Sequence, residues 1–138
     1  MRLYSGMSTD FIRETQRNQI AERLKDAFVA HYRYRPSPAE VSSWRNSLRA
    51  MADVLQIGEL NDHGILLEYQ LPLSSKRLDC LVCGKRPPEG DAAVIVELKQ
   101  WEKCDSAEPE NVVRSWVGGS NRIVLHPSVQ VGQYRQYL

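Results

Sequence analysis

Three residues in the middle of the chain have the types and spacing to do chemistry. Asp79 interrupts the apolar stretch RLDCLVC, and Glu97 and Lys99 close another, AAVIVELK. A carboxylate or ammonium in such a run is costly to bury unless it is paired or bound to a metal. Both stretches read as β-strands, and residues two apart on a strand share a face, so Glu97 and Lys99 point the same way. With Asp79 on a neighbouring strand, two carboxylates meet at one point. Their mutual repulsion suits a hard divalent cation such as Mg²⁺ or Mn²⁺. A lysine beside them would stabilise developing negative charge or help position an attacking water. Asp followed by Glu-x-Lys is therefore an arrangement for metal-assisted hydrolysis of a phosphodiester. The competing reading is a structural ion-pair cluster at strand ends, because short patterns of this kind also arise by chance.

The other metal-ligating types lead nowhere. Cys80 and Cys83 form a C-x-x-C pair, and Cys104 stands apart. On a strand, residues three apart face opposite ways and cannot chelate one ion, and zinc would need two more ligands. The cysteines read as small apolar residues of a reducing, cytoplasmic compartment. His126, followed by Pro127, reads as a turn element rather than a base. Trp101 could stack on a base or pack beneath a loop. Lys76, Arg77, Lys85 and Arg86 gather around the strand ends, where they could contact phosphates.

The reactive residues need a sheet backed by helices to hold them. From Thr9 to about Tyr32, the residues Ile12, Ile20, Leu24, Ala27 and Phe28 recur at helical steps. Pro36 and Pro38 end that pattern. Ser37-Pro38-Ala39-Glu40 is a capping box that opens a second helix, with Glu40 reaching back to the cap. Its buried face is Val41, Trp44, Leu48, Met51 and Leu55, and Gly58 stops it. Gly64 to Leu71 and Arg77 to Cys83, joined by Ser74-Ser75-Lys76, read as an antiparallel hairpin. After the turn-rich GKRPPEGD, the apolar run from Ala92 to Lys99 predicts a central strand covered on both faces. Val112 to Val117 and Arg122 to Leu125 flank Gly118-Gly119-Ser120-Asn121 as a second hairpin. A terminal helix follows His126-Pro127-Ser128, with Ser128 as its N-cap. The order is that of an α/β chain, a sheet flanked by helices.

Composition excludes some classes and leaves others open. The chain has 138 residues, 17 acidic and 18 basic, with 42% hydrophobic residues. No apolar run approaches the ~20 residues that span a bilayer. The opening MRLYSGMSTDF has no apolar h-region, so no secretory signal is expected. Net charge of +1 marks neither a polycation nor an acidic tail. The closing QVGQYRQYL has the amphipathic pattern of a helix still in progress, which suggests a piece of a longer protein.

Asp79 followed by Glu97-Leu98-Lys99 resembles the signature of the PD-(D/E)xK nuclease superfamily. The resemblance implies a restriction-endonuclease-like core, helix, three strands, helix, strand, matched here up to its second helix. An extra N-terminal helix over residues 1–36 would precede that core over 37–138, which is truncated before its last strand. It implies that Asp79 and Glu97 bind Mg²⁺ or Mn²⁺ with the Leu98 carbonyl, and that Lys99 assists catalysis. A subset similar to the RecB nuclease domain adds Gln-x-x-x-Tyr on the next helix. Gln130 and Tyr134 match that spacing, as do Gln133 and Tyr137 one turn later; the first pair lies nearer the strand ends. Leu78 stands where the pattern has Pro. An additional acidic ligand would be Glu68, with Glu40 a rival already explained by its cap. Glu68 can face Asp79 only if the hairpin register places both on one side of the sheet.

A wider resemblance covers nearly the whole chain. RLYSG, SPAEVSSWRNSL, LLEYQLPLSSKRLD, VELKQW and HPSVQ look like the N-terminal region of a bacterial family that carries this domain ahead of a P-loop ATPase/helicase-like region. No Walker A stretch occurs within these residues. The expectation is a Mg²⁺-dependent deoxyribonuclease-type phosphodiesterase in the cytoplasm, acting on DNA ahead of RNA, in repair or phage defence. No membrane partner is expected. The alternative is a nuclease-fold module that binds nucleic acid or regulates without cleaving.

Overall fold

Ser37 opens the longest helix as its capping box predicts. In the computed structural model, which describes residues 1–138, α3 spans Pro38–Ile57, and Ser37 accepts the Glu40 N–H at 3.1 Å. Pro38 supplies a fixed φ where no N–H is needed. Trp44, Leu48, Met51 and Leu55 are buried along its inner face. The segment expected to be one helix before it is two, α1 (Ser8–Gln16) and α2 (Ile20–Tyr32). Asn18 lies between them at φ 57, a conformation Asn adopts more readily than most residues. Ile12 and Ile20 are eight residues apart, close to a whole number of helical turns. The apolar periodicity therefore runs through the break without registering it.

These helices cover a four-stranded antiparallel sheet of order β1-β2-β3-β4. Its strands are β1 (Tyr4–Met7), β2 (Gly64–Gln70), β3 (Arg77–Arg86) and β4 (Gly90–Val96). β2 and β3 form the expected hairpin, and Leu67 pairs with Cys80. β1 pairs with β2, Tyr4 opposite Leu67. Its four residues, YSGM, carry no alternation that local pattern could detect. β4 is an edge strand rather than the central strand its apolar run predicted, and Val94 is 61% exposed. Small and β-branched residues read alike at the centre and at the edge of a sheet. Ile65, Leu67, Cys80 and Val82 share one core with Phe11, Leu24, Phe28, Leu48 and Leu55. Residues 1–36 and 37–98 thus lie in a single compact unit, Met1–Leu98.

Lys99–Leu138 form a second unit. It holds a three-stranded antiparallel sheet of β5 (Cys104–Ser106), β6 (Val112–Val117) and β7 (Ser120–Leu125). Gly118 and Gly119 turn the hairpin with φ 60 and 82, which a primed two-residue turn requires and glycine adopts freely. Helix α4 (Pro127–Tyr134) and a short 3₁₀ turn follow. Its N-cap is His126, not Ser128: Pro127 takes the first helical position, so the cap falls one residue before it. His126 Nδ1 accepts the Ser128 N–H at 3.1 Å. The molecule is a mixed α/β protein with two antiparallel sheets, and no helix is long and apolar enough to cross a membrane.

Leu55 has no exposed surface, whereas its neighbour Val54 is 60% exposed. Leu55→Ala should cost about 2–5 kcal/mol in urea unfolding, and Val54→Ala close to nothing. Equal costs would contradict this packing.

Candidate functional site

The register of β3 and β4 carries Asp79 and Glu97 to the same end of the strand pair. Cys80 pairs with Val96, and one step further Asp79 stands opposite Glu97, the first residue past β4. Directly opposed residues of an antiparallel pair share a face. Asp79 is held there by its backbone neighbour: Oδ2 accepts the Leu98 N–H at 2.7 Å. A charged acceptor on an amide is among the stronger hydrogen bonds, and here it fixes where the Glu97-Leu98 segment leaves the sheet.

The same row continues onto β2. Glu68 falls between the pairs Leu67↔Cys80 and Tyr69↔Leu78, at the level of Asp79, and the two line one cavity. Yet Glu68 is itself unpaired in the ladder and has φ 51, a left-handed conformation that is costly for a glutamate. Its side chain accepts the Trp44 Nε1–H of α3 at 2.8 Å. Its second oxygen lies 3.2 Å from Arg77 Nη1, while Arg77 Nη2 donates to Glu40 at 2.7 Å. Glu40 thus spends its carboxylate on Arg77 rather than on its own cap. The guanidinium also lies over the rings of Phe28 and Tyr32, 5.4 and 5.6 Å from their centroids. Beside this cluster is a cavity of about 360 Å³ whose lining includes Glu40, Trp44, Glu68, Arg77, Asp79 and Leu98.

Burial pushes the Glu68 carboxyl up to about 7. The Arg77 charge and the Trp44 hydrogen bond pull it down, and the neighbouring Asp79 and Glu40 charges push it up again. Sequence reasoning misses Trp44 and Arg77 as members of this site, since it places Trp44 in the core and Arg77 on a phosphate-contacting surface. Two signals point inward: a tryptophan on a buried stripe needs an acceptor for its N–H, and Arg77 is two residues from Asp79 on one strand.

Within residues 99–138, the remaining motif residues form a chain of their own. Lys99 Nζ donates to Gln130 Oε1 at 3.1 Å and lies 5.8 Å from the centre of the Trp101 ring. Gln130 Nε2 donates to the Tyr134 hydroxyl, one turn along α4. Of the first Gln-x-x-x-Tyr pair, Gln130 touches both Lys99 and Tyr134. Tyr134 is buried, whereas Tyr137 lies in the 3₁₀ turn and is exposed.

A divalent cation would find a sparse donor set here. No group of three or more His, Cys, Asp or Glu side chains is placed to hold a metal. Glu68 is taken by Trp44 and Arg77, and a cation beside that guanidinium would meet like charge. The donors the motif names are Asp79, which already accepts the Leu98 N–H, Glu97 and the Leu98 carbonyl. Two carboxylates and a carbonyl suit Mg²⁺, which keeps several waters and takes further oxygens from a substrate phosphate. They do not make an all-protein cage. Comparison with protein-family models, curated proteins and solved structures finds no match.

The Glu68 shift carries a sign. An unfolded glutamate titrates near 4.5 and the folded one near 7, so the folded state holds the extra proton between those values. Its contribution to stability is full below the lower value and is lost as pH rises through the higher one. Glu68→Gln keeps an acceptor for Trp44 and should flatten the dependence of Tm on pH between about pH 5 and 7. An unchanged slope would place the titration elsewhere.

Proposed function

We propose that the chain is a nuclease domain of the PD-(D/E)xK type, which hydrolyses nucleic-acid phosphodiesters with Mg²⁺ or Mn²⁺. The observation that supports this most is the hydrogen bond from Leu98 N–H to Asp79, in a register that opposes Asp79 to Glu97. The Leu98 N–H on Asp79 ties the Glu97-Leu98 segment to the end of β3, which supports the reading. In this reading the restriction-endonuclease-like core is the frame, DNA is the substrate ahead of RNA, and an ATPase/helicase-like region is the partner in a cytoplasmic protein.

Asp79 and Glu97, with the Leu98 carbonyl, would hold the cation, which when bound neutralises phosphate charge and acidifies a coordinated water. Glu97 lies next to Leu98, so the backbone hydrogen bond on Asp79 orients both donors at once. Lys99 carries a positive charge two residues on, suited to the developing negative charge at the phosphorus. Gln130 accepts from the lysine ammonium and is itself held by Tyr134, so these two are positioning residues. Water attacks phosphorus, the ester P–O bond breaks, and the departing oxygen takes up a proton.

One observation favours a second reading, a module that binds without cleaving. Arg77 already neutralises two carboxylates beside Asp79, leaving few free donors. The two readings separate on metal dependence. Asp79→Ala and Lys99→Ala should each lower Mg²⁺-dependent cleavage of labelled DNA by at least ~100-fold, with the fold retained by circular dichroism. Cleavage unaffected by both substitutions overturns the assignment, and binding without any metal-dependent cleavage favours the second reading.

A further inference from the structure

Resting on the nuclease reading, we propose that His31–Arg35 is a docking surface for single-stranded nucleic acid, which names the strand class the site receives. The segment reads HYRYR, rings alternating with guanidinium groups at the end of α2. Tyr34 is 61% exposed, an uncommon exposure for a large ring that is also anchored. It stands edge-on against the buried Phe28, with centroids 5.2 Å apart and planes at 88°, and lies 5.9 Å from Tyr32. His31 packs edge-on against Tyr32 at 4.7 Å. The exposed ring is therefore held in place, and little side-chain freedom remains to be lost when a base stacks on it.

The charges on this segment are left uncompensated. Three arginines of the helical layer are ion-paired, Arg13 with Asp10, Arg23 with Glu14 and Arg45 with Glu22, and Arg49 bonds to Asn18. Arg33 and Arg35 are exposed and make no ion pair. The nearest carboxylate along the chain after them, Glu40, is committed to Arg77. Arg33 also occupies the left-handed C-cap of α2 at φ 63, where glycine would sit without strain. Two free guanidinium groups flanking an exposed ring match the alternation of phosphate and base along a single strand. A duplex would offer the phosphates but not the base faces, which are stacked on one another.

The surface also connects to the carboxylates. Phe28, on which Tyr34 rests, lies under the Arg77 guanidinium at 5.4 Å, and Arg77 and Asp79 line one cavity. Tyr34 and the Arg77 cluster beside Asp79 thus pack on the same buried ring, Phe28.

The test uses the chain carrying Asp79→Ala, in EDTA, so that binding is read without hydrolysis. The probes are fluorescein-labelled oligo-dT, oligo-U and a DNA duplex, followed by anisotropy. Tyr34→Ala should weaken single-strand binding by roughly 5- to 100-fold, as expected for one stacked base, and Tyr34→Phe should bind within about twofold of the parent. Arg33→Gln with Arg35→Gln should lower the slope of log K against log salt by about 1.4, the value for two phosphate contacts on a single strand. That pair is free of ion pairs, so it tests the proposal even if Tyr34→Ala fails to fold. Binding by oligo-dT or by oligo-U supports the proposal, and the tighter of the two names the sugar. A duplex bound as tightly as a single strand, or affinity unmoved by all these substitutions, overturns it. Tyr34-dependent binding without Mg²⁺-dependent cleavage by the unsubstituted chain would sink the nuclease reading alone. Cleavage whose KM ignores Tyr34→Ala would sink only the docking surface.

Discussion

One guanidinium ties four elements of residues 1–98 together. Arg77 leaves β3, pairs with Glu40 in the first turn of α3 and Glu68 in β2, and covers Phe28 and Tyr32 of α2. Drawing these charges out of water costs several kcal/mol per ion, and mutual attraction recovers it only with good geometry. The planar fork of arginine suits this position because it reaches two carboxylates while its face lies on aromatic rings, which lysine cannot do. The balance is still acidic, because one cation faces two carboxylates, with Asp79 on the same cavity. Glu68, the most buried of the three, holds its proton to about 7, chiefly because burial disfavours its charge and secondarily because Asp79 and Glu40 lie near.

The sheet itself does not call for this arrangement. Glu68, Asp79 and Glu97 fall in one row across β2, β3 and the end of β4. Like charges directly opposed across strands are destabilising. Each is handled differently: Glu68 leaves the ladder at φ 51 and turns to Trp44 and Arg77, whereas Asp79 stays in β3 and takes the Leu98 N–H. The left-handed backbone at Glu68 costs about 1–2 kcal/mol. Local rules broken together at one place, by charge and by backbone, are characteristic of sites kept for chemistry.

How much of this is legible in the sequence follows from the range over which each signal acts. The Ser37 cap, the buried stripe of α3 and the Gly118-Gly119 turn are local, and the structure has all three, though Glu40 turns to Arg77 instead of closing the capping box. The Asp79–Glu97 opposition is half legible: the motif names both residues, but only the strand register makes them neighbours. β1 is not legible, because four residues become a strand only by pairing with β2 some sixty positions later. The edge position of β4 and the break at Asn18 escape for a shared reason. Apolar runs and apolar periods record what is buried, not how many neighbours a strand has or whether a helix bends between two buried turns. Arg77 is misplaced because arginine is a surface residue by default, and only the paired acids of two other elements make it an inward one.

A net charge of +1 hides an uneven distribution. Charge is not spread evenly over residues 1–98. Acid collects beside Asp79 in the cavity, and unpaired arginine collects at residues 33 and 35. At physiological salt, fields between exposed charges fade over about 8 Å, so an approaching strand responds to the nearest cluster rather than to the total. The carboxylates alone would repel a phosphate, and a cation held by Asp79 and Glu97 would reverse that locally. Attraction at His31–Arg35 and neutralisation at Asp79 are then two separate requirements, linked through the Phe28–Arg77 contact. In the proposed reading, His31–Arg35 would serve capture and a cation at Asp79 selectivity, and neither would require a large net charge.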